Sequence, residues 1–507
     1  MAVKKTAKTS PAKKTASTKK PATKKPVKKV DHVPDAFATT AGKKSITIIP
    51  LQRQKAESWL KKAPAATRQR AEQSSFTGRA GQVLALYDDK GVLTTILTGV
   101  NDPVQIFDLS PAAEQLARSL PAEILKDTTF KIDTTGWGVA DMNAACIGWG
   151  LSGYRFERYK TGKDATILPR LIWPDKVDKK SVLAYVESAA LIRTLINIPA
   201  NDMGPDELEA AARTLATTEG LTVKVTKDQA LLRDNFPMIY EVGKGSPRRP
   251  RLIDLQWGNA KHPKVTLVGK GVCFDTGGLD IKPPAAMLTM KKDMGGAAHV
   301  LGLALLIIRH KLPVRLRVLI PAVENSVSGE AFRPWDVINS RKGLTVEVGD
   351  TDAEGRLVLG DALALACEEK PDFIANFATL TGAARVALGI EVPAIFSNHE
   401  KIGFEIKDIG MACDDPLWPL PLWQGYRKEM GSDVADISST GSGKAGAITA
   451  ALFLESFVDP KIDWVHVDLY AWDHGGKPGR SRGGTEMASR ALFAYIQKRF
   501  ASKNLKG

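Results

Sequence analysis

Val268-Gly-Lys-Gly-Val-Cys-Phe-Asp-Thr-Gly-Gly-Leu-Asp-Ile-Lys282 decides how the rest of this chain is read. The run Lys264 to Val268 leading into it is branched and apolar, which predicts a strand. Gly269, Gly271, Gly277 and Gly278 then mark a backbone that turns tightly or approaches another group closely. Lys270, Asp275 and Lys282 therefore leave a strand end on a glycine-rich loop, the place where open α/β sheets carry their sites. Met290-Lys-Lys-Asp-Met-Gly-Gly296 adds Asp293, just ahead of Ala297 to Ile308, whose apolar density predicts a buried helix.

A second charged stretch, Asp350-Thr-Asp-Ala-Glu-Gly-Arg-Leu357, follows the strand-like Thr345 to Val348 and opens a helix read over Leu357 to Cys367. In an extended segment Asp352 and Glu354, two apart, face the same way. Acids at a helix start commonly do no more than cap it or answer its dipole, and that reading stays open for Asp350, Asp352 and Glu354 taken alone. A solvated lysine is likewise the plain reading of Lys270 alone. Together, however, these groups place four carboxylates, Asp275, Asp293, Asp352 and Glu354, at otherwise apolar strand ends, where they repel severely unless cations neutralise them. Two divalent ions would do so.

Val268 to Pro283 and Glu324 to Ala364 resemble the leucine aminopeptidase (cytosol aminopeptidase) family of two-metal exopeptidases. The family's hallmark octapeptide is Asn-Thr-Asp-Ala-Glu-Gly-Arg-Leu, and here Asp350 stands in first place. Asn197-Ile-Pro-Ala-Asn-Asp-Met-Gly-Pro205, Ser328-Gly-Glu-Ala-Phe-Arg-Pro334, Ala378-Thr-Leu-Thr-Gly-Ala383 and Ala445-Gly-Ala-Ile-Thr-Ala-Ala451 carry the likeness, in order, over residues 180 to 475. A likeness of that extent is more specific than any single short motif.

The resemblance implies that Lys270, Asp275, Asp293 and Glu354 hold one metal and Asp275, Asp352 and Glu354 the other, with Asp275 and Glu354 bridging. Lys270 is then a neutral amine, and a set of carboxylates with one amine suits manganese or zinc. Lys282 is implied to stay protonated and stabilise an oxyanion. Arg356 is implied to hold a bicarbonate that acts as general base, a planar anion that matches a guanidinium fork. The resemblance also implies that Met290, Thr379 and Gly382 surround the first side chain of the substrate, with the Leu380 carbonyl near its backbone; plain core packing stays open for Met290. The activity implied is leucyl-type, on peptides with a free amino terminus, in a homohexamer. One departure stands out. Asp468-Leu-Tyr-Ala-Trp-Asp-His474 replaces the usual Asp-Ile-Ala-Gly, so Tyr470 or Trp472 intrudes on that pocket and alters its side-chain preference.

Competing motifs are weaker. Cys273 lacks a histidine partner nearby, and His299, His310 and His466 lie in apolar runs that read as core or helix-end positions. Gly441-Ser-Gly-Lys444 lacks the first glycine and the final Ser or Thr of a phosphate loop and reads as a turn before a helix over Ala447 to Phe457. A two-metal phosphoesterase is disfavoured by the lysine in the ligand set and the absence of histidine ligands.

With 507 residues, the chain exceeds one core. Residues 1–44 read as a lysine-rich disordered tail, 45–175 as a smaller amino-terminal α/β domain and 176–507 as the catalytic α/β domain. A linker helix falls within 176–200, and alternating strands and helices argue a mainly parallel sheet covered on both faces. In the amino-terminal part, Ile46 to Ile49, Val83 to Tyr87 and Val92 to Thr98 read as strands, the last two joined by an Asp88-Asp-Lys-Gly91 turn.

Residues 1–30 hold eleven lysines and no acid, so most of the formal charge of +15 belongs to them. That segment lacks the apolar stretch of a secretory signal, and no run is long enough to span a membrane. Four cysteines without paired spacing fit a reducing cytoplasm. The tail reads either as a solubilising extension or as a non-specific nucleic-acid contact. The alternative to an enzyme is therefore a nucleic-acid-binding protein on an aminopeptidase scaffold.

Overall fold

The computed structural model describes residues 35–161 and 167–501. Residues 1–34 of the tail read over 1–44, including the lysine-rich segment 1–30 with its expected disorder and nucleic-acid contact, lie outside the described residues; the disorder expected of the remainder is corrected, because Phe37–Ala38 pairs with Leu171–Ile172 as a strand of the amino-terminal sheet.

The amino-terminal part is a six-stranded sheet in the order Phe37–Ala38, Arg170–Ile172, Thr128–Ile132, Lys44–Gln52, Leu93–Val100, Val83–Tyr87. All neighbours are parallel except the last pair, an antiparallel hairpin closed at Asp88–Gly91. The Asp88 carboxylate accepts from the Lys90 and Val92 amides at 2.9 and 2.8 Å, an Asx-type turn in which Gly91 takes the positive φ.

The carboxy-terminal part is built on a nine-stranded sheet. Its path runs Trp418–Pro419, Ala394–Ser397, Trp464–Asp468, Phe373–Ala378, Lys264–Gly269, Arg315–Asn325, Arg251–Trp257, Thr222–Lys227, with Gly271–Asp275 pairing beside Arg315–Asn325. The central pairs, from Trp464–Asp468 through Arg315–Asn325, are parallel. These strands bury both faces. Phe373, Ala375 and Phe377 belong to one core and Ile374 and Ala378 to the other, the period of two expected of a covered sheet.

Helix Gly295–Arg309 covers the first face. It is apolar all round because it is sandwiched between the sheet and helix Lys179–Asn197. Helix Glu354–Glu368 covers the second face. Both helices start at the carboxyl ends of the parallel strands, so their first turns meet there. A small sheet of Val337–Asn339, Thr345–Glu347 and Ile437–Ser438 carries the chain into Asp350. The linker helix, Lys179–Asn197, is capped by Asp178, which accepts from the Ser181 amide.

One expectation is corrected. Asp352 and Glu354 do not lie in an extended segment: Thr351–Ala353 is a 3-10 turn and Glu354 is the first residue of the helix. The Asp350 side chain accepts from the Asp352 amide at 2.7 Å and tightens the turn. The capping reading thus holds for Asp350, while the other two acids are left free of backbone bonds.

The two parts are tied through a buried ion cluster. Arg193 of the linker helix donates to Glu486 at 2.6 and 2.9 Å and to the Gly479 carbonyl at 2.8 Å. Its Nη1 also reaches the Leu151 carbonyl, at 3.4 Å. Burial alone would raise the Glu486 carboxyl, but Arg193 and Arg490 outweigh it and hold it down to about 2. A carboxylate with a depressed folded pKa contributes its full stability above its ordinary pKa, and that contribution is lost as pH falls from about 4.5 toward 2. Glu486→Gln is expected to cost about 3–5 kcal/mol at neutral pH, because it leaves Arg193 buried without its counter-charge. Urea denaturation checks this, and the gap between wild type and variant should close as the pH is lowered through that window.

Candidate metal centre

The Lys270 backbone lies where two strands part. Its amide donates to Phe377 O at 3.0 Å, and its carbonyl accepts from the Ala297 amide at 2.8 Å, at the start of helix Gly295–Arg309. The side chain turns into a site where Nζ sits 2.7 Å from Asp293 Oδ2 and 2.8 Å from Glu354 Oε1, and donates to Thr379 O at 3.2 Å. Lys270, Asp293 and Glu354 are all nearly inaccessible to solvent. This close approach needs Gly296, where a Cβ would fall 2.1 Å from Phe377 O and 2.7 Å from the Lys270 amide.

Asp275 is oriented from the opposite side. Its Oδ1 accepts from the Gly277 amide at 2.8 Å and from Asn325 Nδ2 at 2.9 Å, which leaves Oδ2 facing Lys282 Nζ at 2.8 Å. Lys282 also pairs with Asp352. The two charged stretches are stitched together by Thr351, whose amide donates to Asp280 Oδ2 at 2.8 Å and whose hydroxyl donates to Gly277 O at 2.7 Å. The Gly277 and Gly278 backbones have φ of +88° and +66°, a left-handed path that brings the loop back onto Thr351.

Too many negative groups meet here for the cations present. Ligand atoms of Asp275, Asp293 and Glu354 all lie within 4.8 Å of one another. Although the lysines approach closely, Asp293 Oδ2, Asp352 Oδ1 and both Glu354 oxygens are buried and make no aligned hydrogen bond. Proximity without alignment leaves their lone pairs unsatisfied, which is costly in a desolvated site. Burial and the neighbouring Asp275 push the Asp352 carboxyl up to about 6 and that of Glu354 well above the usual range. Burial opposes the charge on Lys270, yet Asp293, Glu354 and Asp275 outweigh it and raise its pKa. Oxygen-rich, desolvated and short of positive charge, these residues fit a divalent cation.

A cavity of about 550 Å³ opens onto the cluster. Lys270, Asp275, Lys282, Asp293 and Asp352 line it, as do Met290, Thr379, Leu380 and Gly382. Glu354 and Arg356 are set outside the lining. Arg356 donates to Ser439 O at 2.7 Å while its Nε is buried without a partner, and burial lowers its pKa to about 10. Thr379 does more than line the cavity: its hydroxyl donates to Asp293 Oδ1 at 2.7 Å.

Two supporting residues escaped the sequence reading. Asn325 orients Asp275, and its only signal was a polar side chain closing the apolar strand Arg315–Asn325. Asp468, buried and with its carboxyl raised to about 6 mainly by burial, accepts from the Leu380 and Thr381 amides and the Thr381 hydroxyl, shaping the cavity wall. The histidines behave as core groups. His299 bonds Gly295 O and the Met487 amide, and His466 bonds Asn376. Cys273 is buried, and its thiol is pushed well up by burial, which removes it as a nucleophile.

A mainly parallel sheet with a carboxylate-rich cation site at its strand ends is a frame on which metal-dependent hydrolases are built. The catalytic domain of the cytosol aminopeptidase family matches residues 190–493, and the M17 aminopeptidase N-terminal domain matches residues 46–174. The chain belongs to the cytosol aminopeptidase family, and it is a metal-dependent aminopeptidase acting on peptides.

A probable cytosol aminopeptidase of Syntrophotalea carbinolica is 37% identical over 453 residues, covering 85% of this chain and 91% of that protein. The crystal structure of the cytosol aminopeptidase from Coxiella burnetii superposes with a TM-score of 0.85 at 44% identity, covering 92% of this chain and 100% of that one. The bottromycin maturation enzyme BotP in complex with Mn superposes at 0.79 with 30% identity, covering 90% and 99%.

Gly296→Ala tests the packing that delivers Lys270. The added methyl would strike the Phe377 carbonyl and break its bond to the Lys270 amide. It is expected to destabilise the fold by about 1–3 kcal/mol and to weaken divalent-cation binding, as read by denaturation and titration calorimetry.

Proposed function

We propose that the chain removes the first residue of a peptide with two divalent ions, manganese or zinc, held at this site. The observation that carries the reading is the set of buried, unbonded carboxylate oxygens of Asp293, Asp352 and Glu354 around Lys270. Lys270, which Asp293, Glu354 and Asp275 hold protonated when no ion is present, would give up that proton and, with Asp275, Asp293 and Glu354, hold one ion, while Asp275, Asp352 and Glu354 would hold the other. When bound, such ions acidify a water and polarise the scissile carbonyl.

The chain's own groups do the rest. Asn325 and the Gly277 amide fix Asp275, and Thr379 fixes Asp293. Lys282 is kept protonated by Asp275 and Glu354 against its burial, ready to donate to the oxyanion of the tetrahedral intermediate. Arg356, with its unpartnered Nε, is assigned the bicarbonate that serves as general base. Met290, Thr379 and Gly382 form the pocket for the first side chain, leucine included, and the Leu380 carbonyl receives the substrate backbone.

Leucine para-nitroanilide hydrolysis should be lost on chelation and restored by Mn²⁺ or Zn²⁺. Glu354→Ala should lose bound metal and activity together, whereas Lys282→Ala should keep its metal and lose about two to three orders of magnitude in rate. Near-normal turnover by Glu354→Ala would overturn the ligand assignment.

We further propose a homohexamer in the cytoplasm. Large exposed apolar side chains outside the cavity, Trp335 and Val386 at 79 and 84% exposure, favour burial between copies. Free thiols at Cys146, Cys273, Cys367 and Cys413 accord with a reducing compartment. No described helix is long and apolar enough to cross a membrane. Light scattering should report six times the 54.8 kDa chain. Deleting residues 1–30 should leave peptidase activity intact and remove salt-sensitive DNA retention; retention unchanged by the deletion would end the nucleic-acid role given to that segment.

A further inference from the structure

Lys292 is the charged group of the cavity that peptide hydrolysis, as described, does not use. It precedes Asp293, lines the cavity and is only 4% exposed. Its ammonium makes no ion pair among the described residues. Instead it lies 4.7 Å from the centroid of the Tyr470 ring. Arg385, on helix Gly382–Leu388, brings its guanidinium to 5.4 Å from the same centroid, again without a carboxylate partner among the described residues. The ring is anchored in turn by the Tyr470 hydroxyl, 3.0 Å from His474 Nε2.

The acids nearby are turned toward other partners. Asp293 faces Lys270 and Thr379, and Asp468 is bonded to Leu380 and Thr381. A cation withdrawn from water without a counter-ion is costly, and contact with an aromatic face offsets only part of that cost. A buried cation and an exposed one on the same ring, both lining the same cavity, make a receptor for an anion that arrives with the substrate.

We propose that the first-residue pocket takes an acidic side chain, glutamate or aspartate, as well as leucine, and rejects lysine and arginine. Lys292 and Arg385 are the specificity-determining residues, and Tyr470 holds both in place. The proposal rests on reading the cavity as the aminopeptidase site. It explains why Tyr470 stands where a small residue is usual: the ring is the platform that carries the charges. A basic first side chain entering the same space would meet two unpaired cations and be repelled.

The test is kcat/KM for glutamyl, leucyl and lysyl para-nitroanilides with the Mn²⁺-loaded enzyme. The glutamyl substrate should be hydrolysed, and the lysyl one at least about a hundredfold more slowly. Lys292→Met and Arg385→Met should each lower the glutamyl-to-leucyl ratio by about ten- to a hundredfold and improve lysyl turnover, and Lys292→Arg should restore most of the ratio. Arg385 is exposed and remote in sequence from the carboxylate ligands, so it decides the matter if Lys292→Met loses metal. An unchanged ratio in Arg385→Met with leucyl turnover intact, or rapid lysyl hydrolysis by the wild type, overturns the proposal. Absence of turnover on all three substrates by the loaded wild type removes the aminopeptidase reading itself, and the proposal with it.

Discussion

Burying three carboxylates with oxygen atoms within 4.8 Å of one another is the constraint on which the catalytic part depends. Such a cluster is unstable by itself, because each added charge raises the cost of the next. The fold meets the cost in three ways. Lys270 and Lys282 supply nearby positive charge, Asn325 and the Gly277 amide satisfy one face of Asp275, and the oxygens left over await a cation. A site so dependent on metal couples binding to local structure, since removing the ion leaves acids that favour protonation or rearrangement.

The parallel sheet makes this arrangement attainable. Lys264–Gly269, Arg315–Asn325 and Phe373–Ala378 end side by side, so the residues just beyond them converge although they are far apart in sequence. Helices Gly295–Arg309 and Glu354–Glu368 begin at the same level, on opposite faces. Asp293 enters just before one helix and Glu354 opens the other, so the site is closed from both layers. Burial of these helices on the two cores holds the geometry more firmly than any exposed loop could.

Much of this was legible because glycine, charge and apolar runs each have a local signature. The strand at Lys264, the helices after Asp293 and Asp350, the Asp88 hairpin and the charged residues themselves all follow from short windows of sequence. Asp352 and Glu354 were misread as extended because the 3-10 turn is set by Asp350 and by Thr351 reaching across to Asp280 and Gly277, a contact seventy residues away in the chain. Asn325 and Asp468 were missed for the same reason: each is an ordinary polar residue at a strand end until its partner is known. Tyr470 was visible as a departure from the family pattern, but its meaning was not, since Lys292 and Arg385 reach it only through the fold.

Among the described residues the N-terminal part contributes none to the cavity lining, yet it is not merely appended. Arg193 links the linker helix to Glu486 and, through Gly479 and Leu151, to both parts of the chain. The same helix packs along Gly295–Arg309, the helix that presents Asp293 and carries Gly296 under Lys270. A shift of the linker helix therefore bears on the metal centre through one helix, buried from Gly295 to Ile308, rather than through a chain of loop contacts. The buried Arg193–Glu486 pair is suited to that position because it forms only in one register, so sliding the helix by a turn would leave the Arg193 guanidinium buried without its counter-charge. Charge complementarity thus acts twice in this molecule, once to demand an ion at the site and once to hold the scaffold that aims its ligands.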